Sequence, residues 1–470
     1  MSTASRQFVQ RAAVKAADLE HRATIERNIQ TYDAAVARGR LRFADWEAAR
    51  NACEAIKAEA ICHLDRYLEQ FEKNITARGA HVFWAEDAAQ ADAYVATLVK
   101  QRGVKTVVKS KSMATEEIHL SAALEKAGAT VWETDLGEFI VQLRDEPPYH
   151  IVTPAMHLTR YQIRDLFREK LGADVPDADP QKLVAVARVA LRRAFFSAEM
   201  GISGANFLVA DAGMVALSTN EGNGRLTTTL PRLHVVVAGI EKIVPRLADL
   251  ALLWPVLAAA GTGQPITTYS TLIGGPRCAD EPDGPEELHV VLLDNGRTNL
   301  LTAPETAEVL RCIRCGACLN MCPVYRQVGG HAYGTTYPGP IGSIFTPRTV
   351  EMREWGHMAY ACSLCTACKS VCPVKIDLPK QLLLVRRDFV AAGDVKPAEN
   401  VGFRGFRWVV ESARRFAAGG WLLRKSQAVV RALGFSRSPL DPMYVWTKYR
   451  APMPVPRQSF RAWWRQHGRQ

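Results

Sequence analysis

An α/β fold with helical extensions on both sides is predicted by three observations. Short β-rich runs alternate with helical stretches in the middle of the chain, helical apolar spacing precedes them, and a cysteine-dense helical segment follows. The strand candidates are 81–84 (HVFW), 106–108 (TVV), 130–132 (TVW), 207–210 (FLVA), 233–237 (LHVVV) and 289–293 (HVVLL). Their alternation with helices calls for a largely parallel sheet with some antiparallel pairing. Ahead of them, runs such as 43–49 (FADWEAA) and 55–61 (AIKAEAI) carry helical spacing with no strong breaker after Gly39. After Val395 the pattern stays helical to about Leu433. It then turns proline-rich (Pro439, Pro442, Pro452, Pro454, Pro456) before a last aromatic and basic stretch. The expected division is a helical region over 1–75, an α/β domain over 76–297, a helical cysteine module over 298–392 and a basic aromatic region over 393–470.

Composition supports a folded chain of more than one core. At 470 residues, with 48% hydrophobic and 23% charged side chains, it exceeds one ordinary domain and is far from the disordered class. The first 22 residues scatter charges through every turn and contain no apolar core, which argues against a secretory signal. The most apolar stretch, 250–260 (LALLWPVLAAA), is shorter than the roughly 20 residues a bilayer requires, and Pro255 interrupts it. A buried core helix is the expectation there. A cytoplasmic protein without a transmembrane segment follows, with membrane contact at most peripheral. The net charge of +11 is concentrated in the last 70 residues, where 14 Lys and Arg face two acids, Glu411 and Asp441.

The strongest signal is a duplicated cysteine motif. Cys312, Cys315, Cys318 and Cys322 are followed by Pro323, and Cys362, Cys365, Cys368 and Cys372 by Pro373. Both runs are C-x2-C-x2-C-x3-C-P, and the second begins 40 positions after the first ends. Three closely spaced thiolates can wrap one face of a cuboidal cluster while the fourth reaches to the other cluster. That predicts two [4Fe–4S] clusters. One is held by Cys312, Cys315, Cys318 and Cys372, the other by Cys362, Cys365, Cys368 and Cys322. Disulfides do not suit a reducing compartment, and zinc sites use paired C-x2-C without a third cysteine in the same rhythm. The C-x3-C-x2-C triad of radical chemistry is missing. Cys53, Cys62 and Cys278 stand alone and read as small buried hydrophobes. Helical flanks, 304–311 before the first motif and 378–387 after the second, favour a helical ferredoxin module over a small β-hairpin ferredoxin. Such a module moves electrons, and with all eight thiols committed its irons have no position left for catalysis.

Three polar stretches in the α/β region suggest an anion site. Lys109, Ser110, Lys111 and Ser112 follow a strand and open a helix; 133–138 (ETDLGE) leads to His157; and 210–213 (ADAG) leads to 218–225 (STNEGNGR). Polar glycine-rich turns after strands are where α/β domains bind ligands, although solvated loops and caps explain any one of them as well. Lys109, Lys111 and Arg225 could hold a carboxylate, with His157, Glu221 or His234 as candidate bases. For His157 and His234 a structural role competes. No G-x-G-x-x-G opens a βαβ unit, so no dinucleotide site is expected.

The pieces KSKSMATEE, ETDLGEFIVQL…PPYHIVTPAMH and ADAG…STNEGNGR, both cysteine motifs and the ending KYRAPMPVPRQSFRAWWR together resemble the lactate-utilisation protein B family, in its order and over nearly the whole chain. The resemblance implies a lactate-utilisation (LUD) domain similar to the ribose-phosphate isomerase and CoA-transferase group. It also implies an iron–sulfur subunit, non-catalytic or co-catalytic, of a cytoplasmic L-lactate oxidising system. A heterodisulfide-reductase-like cysteine-rich protein, a second LUD protein and an electron acceptor are the partners implied. Two rival readings stand beside it. One is an electron-transfer subunit for another 2-hydroxy acid or a quinone-linked dehydrogenase. The other is a transferase- or isomerase-type LUD enzyme with structural clusters, in which Glu221 echoes a CoA-transferase nucleophile. The tail holds five of the ten tryptophans among its basic residues, a combination that suits docking on a protein partner. No nucleic-acid-binding motif accompanies it.

Overall fold

The computed structural model of the chain describes residues 2–393, 397–435, 438–439, 444–447, 450–451, 456 and 458–468. It divides into two compact units, Met1–Gly393 and Asp394–Gln470. The first unit opens with four helices, α1 (Thr3–Ala17), α2 (Leu19–Arg40), α3 (Trp46–Cys62) and α4 (Leu64–Thr76). Side chains at the breaks set them. Ser2 caps α1, Asp45 caps α3, and Asp18 both ends α1 and accepts from the His21 N–H at the start of α2. In α4, Leu64, Tyr67, Leu68, Phe71 and Ile75 recur at helical spacing and are all buried.

Among the described residues ten strands follow: β1 (His81–Ala85), β2 (Thr106–Lys109), β3 (Thr130–Glu133), β4 (Met200–Ser203), β5 (Phe207–Val209), β6 (Met214–Thr219), β7 (Leu233–Gly239), β8 (Ile243–Val244), β9 (Tyr269–Ile273) and β10 (Glu287–Leu293). Six form a sheet in the order β1-β10-β7-β4-β2-β3, with every pair parallel. The rest form a mixed sheet, β8-β5-β6-β9. All six strands expected from sequence are present; β4, β6, β8 and β9 are additional.

The central strands β4, β7 and β10 are buried on both faces, which is why β7 and β10 are nearly continuous apolar runs, whereas the edge strand β1 is partly exposed. Successive residues divide between two cores: Val235, Val237, Val291 and Leu293 point into one, and Val236, Val290 and Leu292 into the other. The apolar helix Leu250–Gly261 is a core helix, as expected, with Pro255 in its interior, and it packs on α2 and α3. No helix among the described residues is long and apolar enough to cross a membrane.

The cysteine segment is built from short helices, Ala317–Asn320, Tyr325–Val328, Gly339–Thr349, Ala367–Val371 and Leu378–Ala391, with no strand among them. One sequence expectation fails nearby. Cys53 is buried, but Cys62 and Cys278 are exposed, because Cys62 is the last residue of α3 and Cys278 lies in the polar loop before β10. The second unit holds helices Pro397–Val410, Ala413–Ala432, Tyr444–Thr447 and Phe460–His467, so the helical expectation up to about Leu433 holds. Arg437, Asp441, Pro442, Lys448, Pro452, Pro454, Arg457 and Arg469 lie outside the described residues, as do the side chains of Arg431 and Trp446.

Candidate iron–sulfur centre and adjoining cavity

The eight motif cysteines are all free thiols, and the fold sorts them into two groups. Burial pushes the Cys315 thiol up, and the nearest thiols adding to that are Cys372 and Cys312. Cys318 is raised by burial and then by Cys312, Cys315 and Cys372. In the other group burial lifts Cys368 to about 12, helped by Cys362, Cys322 and Cys365. Cys322, Cys362, Cys365 and Cys368 also line one small cavity together. Cys372 of the second motif thus stands near Cys312, Cys315 and Cys318, with Cys368 acting more weakly on Cys318, and Cys322 of the first motif shares a cavity with Cys362, Cys365 and Cys368.

The buried thiols Cys315, Cys318, Cys322, Cys368 and Cys372 resist ionisation by themselves, and an electropositive metal cluster would reverse that, since a coordinating thiol is deprotonated outright. The donor set fits such a cluster. Backbone N–H groups already point at the sulfurs: Arg314 N lies 3.4 Å from Cys312 Sγ, Leu364 N 3.2 Å from Cys362 Sγ and Ile376 N 3.4 Å from Cys372 Sγ. The loops turn inward through left-handed residues at equivalent places, Arg314 and Gly316 in the first motif, Leu364 and Thr366 in the second. Helix α3 braces the module, with Arg50 donating to the Cys372 carbonyl at 2.8 Å.

Beside the first group lies a cavity of about 530 Å³. Its wall takes Lys111 and Ser112 after β2, Asp135 after β3, Gly204 and Asn206 after β4, and Ala238 and Gly239 at the end of β7. These are the carboxyl ends of neighbouring parallel strands, where such sheets place ligands. The cysteine module closes the far side with Arg314, Cys315 and Tyr337.

A buried ion network welds the two parts together. Arg297 donates to Glu241 at 2.6 Å and to Glu117 at 2.8 Å, and Arg314 reaches Glu241 at 3.2 Å. Burial alone would raise Glu241, but Arg297 and Arg314 outweigh it and hold the carboxyl at about 2. Lys57 donates to the Glu241 and Ile243 carbonyls, and burial lowers it to about 7. Lys242, on the cavity wall, is lowered by burial to about 8. The Cys312 thiol acts in the opposite sense on Lys57, Lys242 and Arg314, so a cationic face is turned toward the first group.

The candidate residues named from sequence do not converge. Lys111 and Glu221 line the cavity: Lys111 donates to the Val152 carbonyl, and Glu221 accepts from Leu136 N at 3.2 Å. Lys109 does not line the cavity and already has carboxylate partners. It is fully buried, 2.6 Å from Glu116 and 2.7 Å from Glu133, and these carboxylates overcome burial and hold it above the usual lysine range. Arg225 is exposed, over the Tyr269 ring at 5.2 Å. His234 is buried against Ser203 Oγ at 2.8 Å, and burial lowers it to about 3. His157 is paired with Glu146 and stacked on Tyr149, away from the cavity wall. Sequence reasoning passed over Lys242, Arg297, Arg314 and Tyr337. The available signal was an arginine inside a cysteine motif, a crowded place to put a charge unless it has partners.

Comparison with known proteins agrees with this architecture. Residues 68–293 match the LUD domain, 308–376 a 4Fe-4S dicluster domain, and 391–469 the family described as lactate utilisation protein B, C-terminal. The chain is 43% identical to "Lactate utilization protein B" of Bacillus licheniformis over 422 residues, covering 89% of this chain and 88% of the relative. The Bacillus subtilis protein of the same name is 43% identical over 89% of this chain and 88% of its own. "Uncharacterized electron transport protein YkgF" of Escherichia coli is 41% identical over 90% of this chain and 88% of its own. An α/β domain with a parallel sheet, a helical 4Fe–4S module and this similarity from end to end leave one conclusion: the chain belongs to the lactate utilization protein B family.

Proposed function

We propose that this protein is the iron–sulfur electron-transfer subunit of a cytoplasmic L-lactate oxidising system, carrying electrons through two [4Fe–4S] clusters to a partner. The observation that carries the reading is the crossed sorting of the eight thiols. Cys312, Cys315, Cys318 and Cys372 would hold one cluster, and Cys362, Cys365, Cys368 and Cys322 the other. Sharing ligands in this way keeps two clusters close, and each supplies one-electron redox chemistry when bound. Cys315 stands at the cavity and Cys365 is exposed, which supports a direction from the cavity side to the protein surface. The names of the relatives support lactate as the source. A cysteine-rich heterodisulfide-reductase-like protein and a second LUD protein are the proposed partners, and the proposed boundaries are 1–75, 76–297, 298–392 and 393–470.

Anaerobic addition of L-lactate to the reconstituted complex tests this. Cluster absorbance should bleach only when this subunit and its partners are present, and a Cys312→Ala and Cys362→Ala double variant should abolish turnover. Full-rate oxidation by that variant removes the electron-transfer role. Equal bleaching by D-lactate or glycolate removes the lactate assignment. Crossing has its own readout: Cys372→Ser should alter the same electron paramagnetic resonance signal as Cys315→Ser, and Cys322→Ser the other.

A further inference from the structure

Away from the eight thiols and the cavity, Glu146, His157 and His331 each offer one ligand atom, and these atoms lie within 4.8 Å of one another. They come from separate stretches: Glu146 from the turn after helix Leu136–Leu143, His157 from the loop before helix Arg160–Leu171, and His331 from the cysteine segment after helix Tyr325–Val328. Two imidazoles and one carboxylate are the donor set of catalytic zinc and of non-haem iron(II) sites.

Two details separate this cluster from an ordinary histidine–carboxylate pair. His157 Nε2 is 3.0 Å from Glu146 Oε2, on a side chain only 8% exposed, so this imidazole nitrogen and the carboxylate oxygen are held together out of bulk water. His331 then adds a second imidazole, its ring centroid 4.9 Å from that of His157. Its Nε2 lies 2.8 Å from the Pro147 carbonyl, which requires an N–H there and leaves Nδ1 as a lone pair. A ring nitrogen fixed by a backbone carbonyl is how metal-binding histidines are oriented. Arg144 takes the other carboxylate oxygen of Glu146, Oε1, at 2.7 Å, so Oε2 stays on the histidine side. Tyr149 stacks on His157 at 4.6 Å and further restricts the ring.

We propose that Glu146, His157 and His331 bind one divalent first-row transition-metal ion, separate from the iron–sulfur clusters. Three protein ligands leave a coordination position open to water or substrate. His331, Pro147 and Gly330 also stand on the wall of a cavity of about 820 Å³, which gives that position access. Zinc and iron(II) share this donor preference, and the experiment separates them.

The full chain is purified anaerobically, and iron, acid-labile sulfide and other metals are measured on the same sample. The expected result is one metal per chain beyond the clusters, either zinc or an excess of one iron over sulfide. If the metal is zinc, X-ray absorption at the zinc edge should show nitrogen and oxygen neighbours only; if it is iron, Mössbauer spectra should show a high-spin iron(II) doublet distinct from the cluster irons. His157→Ala and His331→Ala should each reduce its retention tenfold or more while sulfide content and the cluster spectrum stay unchanged. If either variant misfolds, Glu146→Gln keeps the volume and should give the same loss. Iron equal to sulfide with no further metal overturns the proposal, and so do sulfur neighbours or retention unaffected by all three variants. Loss of the clusters would instead show as missing sulfide, so the two readings fail separately.

Discussion

At the residue scale, Lys109 shows how a side chain can mislead from sequence alone. A lysine at the end of a strand reads as an anion hook, but here one ammonium is enclosed by Glu116 and Glu133, with Glu138 beside them. One cation cannot neutralise three carboxyls, two of them buried. Burial therefore lifts Glu133 to about 7 and Glu138 well above its usual 4.5. Both bind a proton more tightly folded than unfolded, so the native chain holds more protons between about 4.5 and 7. Stability is present below that window and is lost as pH rises through it. Thermal melting should drop between pH 5 and pH 8. Glu138→Gln, neutral at every pH, should flatten that drop. An unchanged slope would mean that Glu138 is not the proton holder. The cationic face near Cys312 gives a second expectation. Lys242→Met removes a positive charge that favours the reduced, more negative state of a cluster there. The potential of that cluster should fall by tens of millivolts in a redox titration followed by electron paramagnetic resonance, with the other cluster unmoved. The cysteines themselves were legible because their spacing is the chemistry. Lys242 was not, because its role depends on a strand end and a cysteine loop meeting from distant parts of the chain.

At the element scale, what escaped the sequence has a packing reason. β4 lies in the middle of the parallel sheet, yet Met200–Ser203 contains a glycine where a strand usually carries a branched residue. A Cβ at Gly201 would sit 1.9 Å from the Thr227 carbonyl oxygen, and one at Gly204, just beyond β4, 2.7 Å from Ser112 Oγ. Close backbone approach demands those glycines, and glycine reads as loop. β1 and β10 contain no glycine, and in β7 the crowded glycine, Gly239, is only the last residue, so all three were visible as β-rich runs. The two cysteine loops illustrate the same logic with a different compromise. The first turns at Gly316 with φ 77°, and the second makes the same turn at Thr366 with φ 66°, where a β-branched residue is strained. Thr366→Gly should stabilise the chain by about 1 kcal/mol, visible in the denaturant midpoint with cluster content unchanged. Gly316→Ala goes the other way. Its Cβ would meet Val152 Cγ2 at 2.9 Å in a left-handed turn, so it should lower cluster loading, measured as sulfide per chain, before it lowers helix content.

At the scale of the whole molecule, the second unit has a surface unlike that of a finished domain. In helix Pro397–Val410, Phe403, Phe406 and Val410 follow helical spacing and are 66%, 62% and 42% exposed, with Arg404 and Arg407 between them. Trp408, under Arg415 at 4.5 Å, and Trp421, Trp463 and Trp464 are also exposed. Large aromatic side chains with arginine among them are the material of interface anchors, and leaving so many in water is costly for a chain that works alone. Under the proposed function, a two-electron oxidation feeding one-electron clusters would need a partner centre, and this unit has the composition to dock one. Aromatic burial should then set the lifetime of the complex, and the basic residues its rate of formation. Replacing Arg404, Arg407, Arg414 and Arg415 with Gln should slow association with the partner subunits at low salt and flatten the salt dependence, because screening acts only on charges that remain. Phe403→Ala and Phe406→Ala should instead speed dissociation at any ionic strength. Surface plasmon resonance with the complete chain separates the two effects, and identical kinetics for all six substitutions would place the partner contact elsewhere.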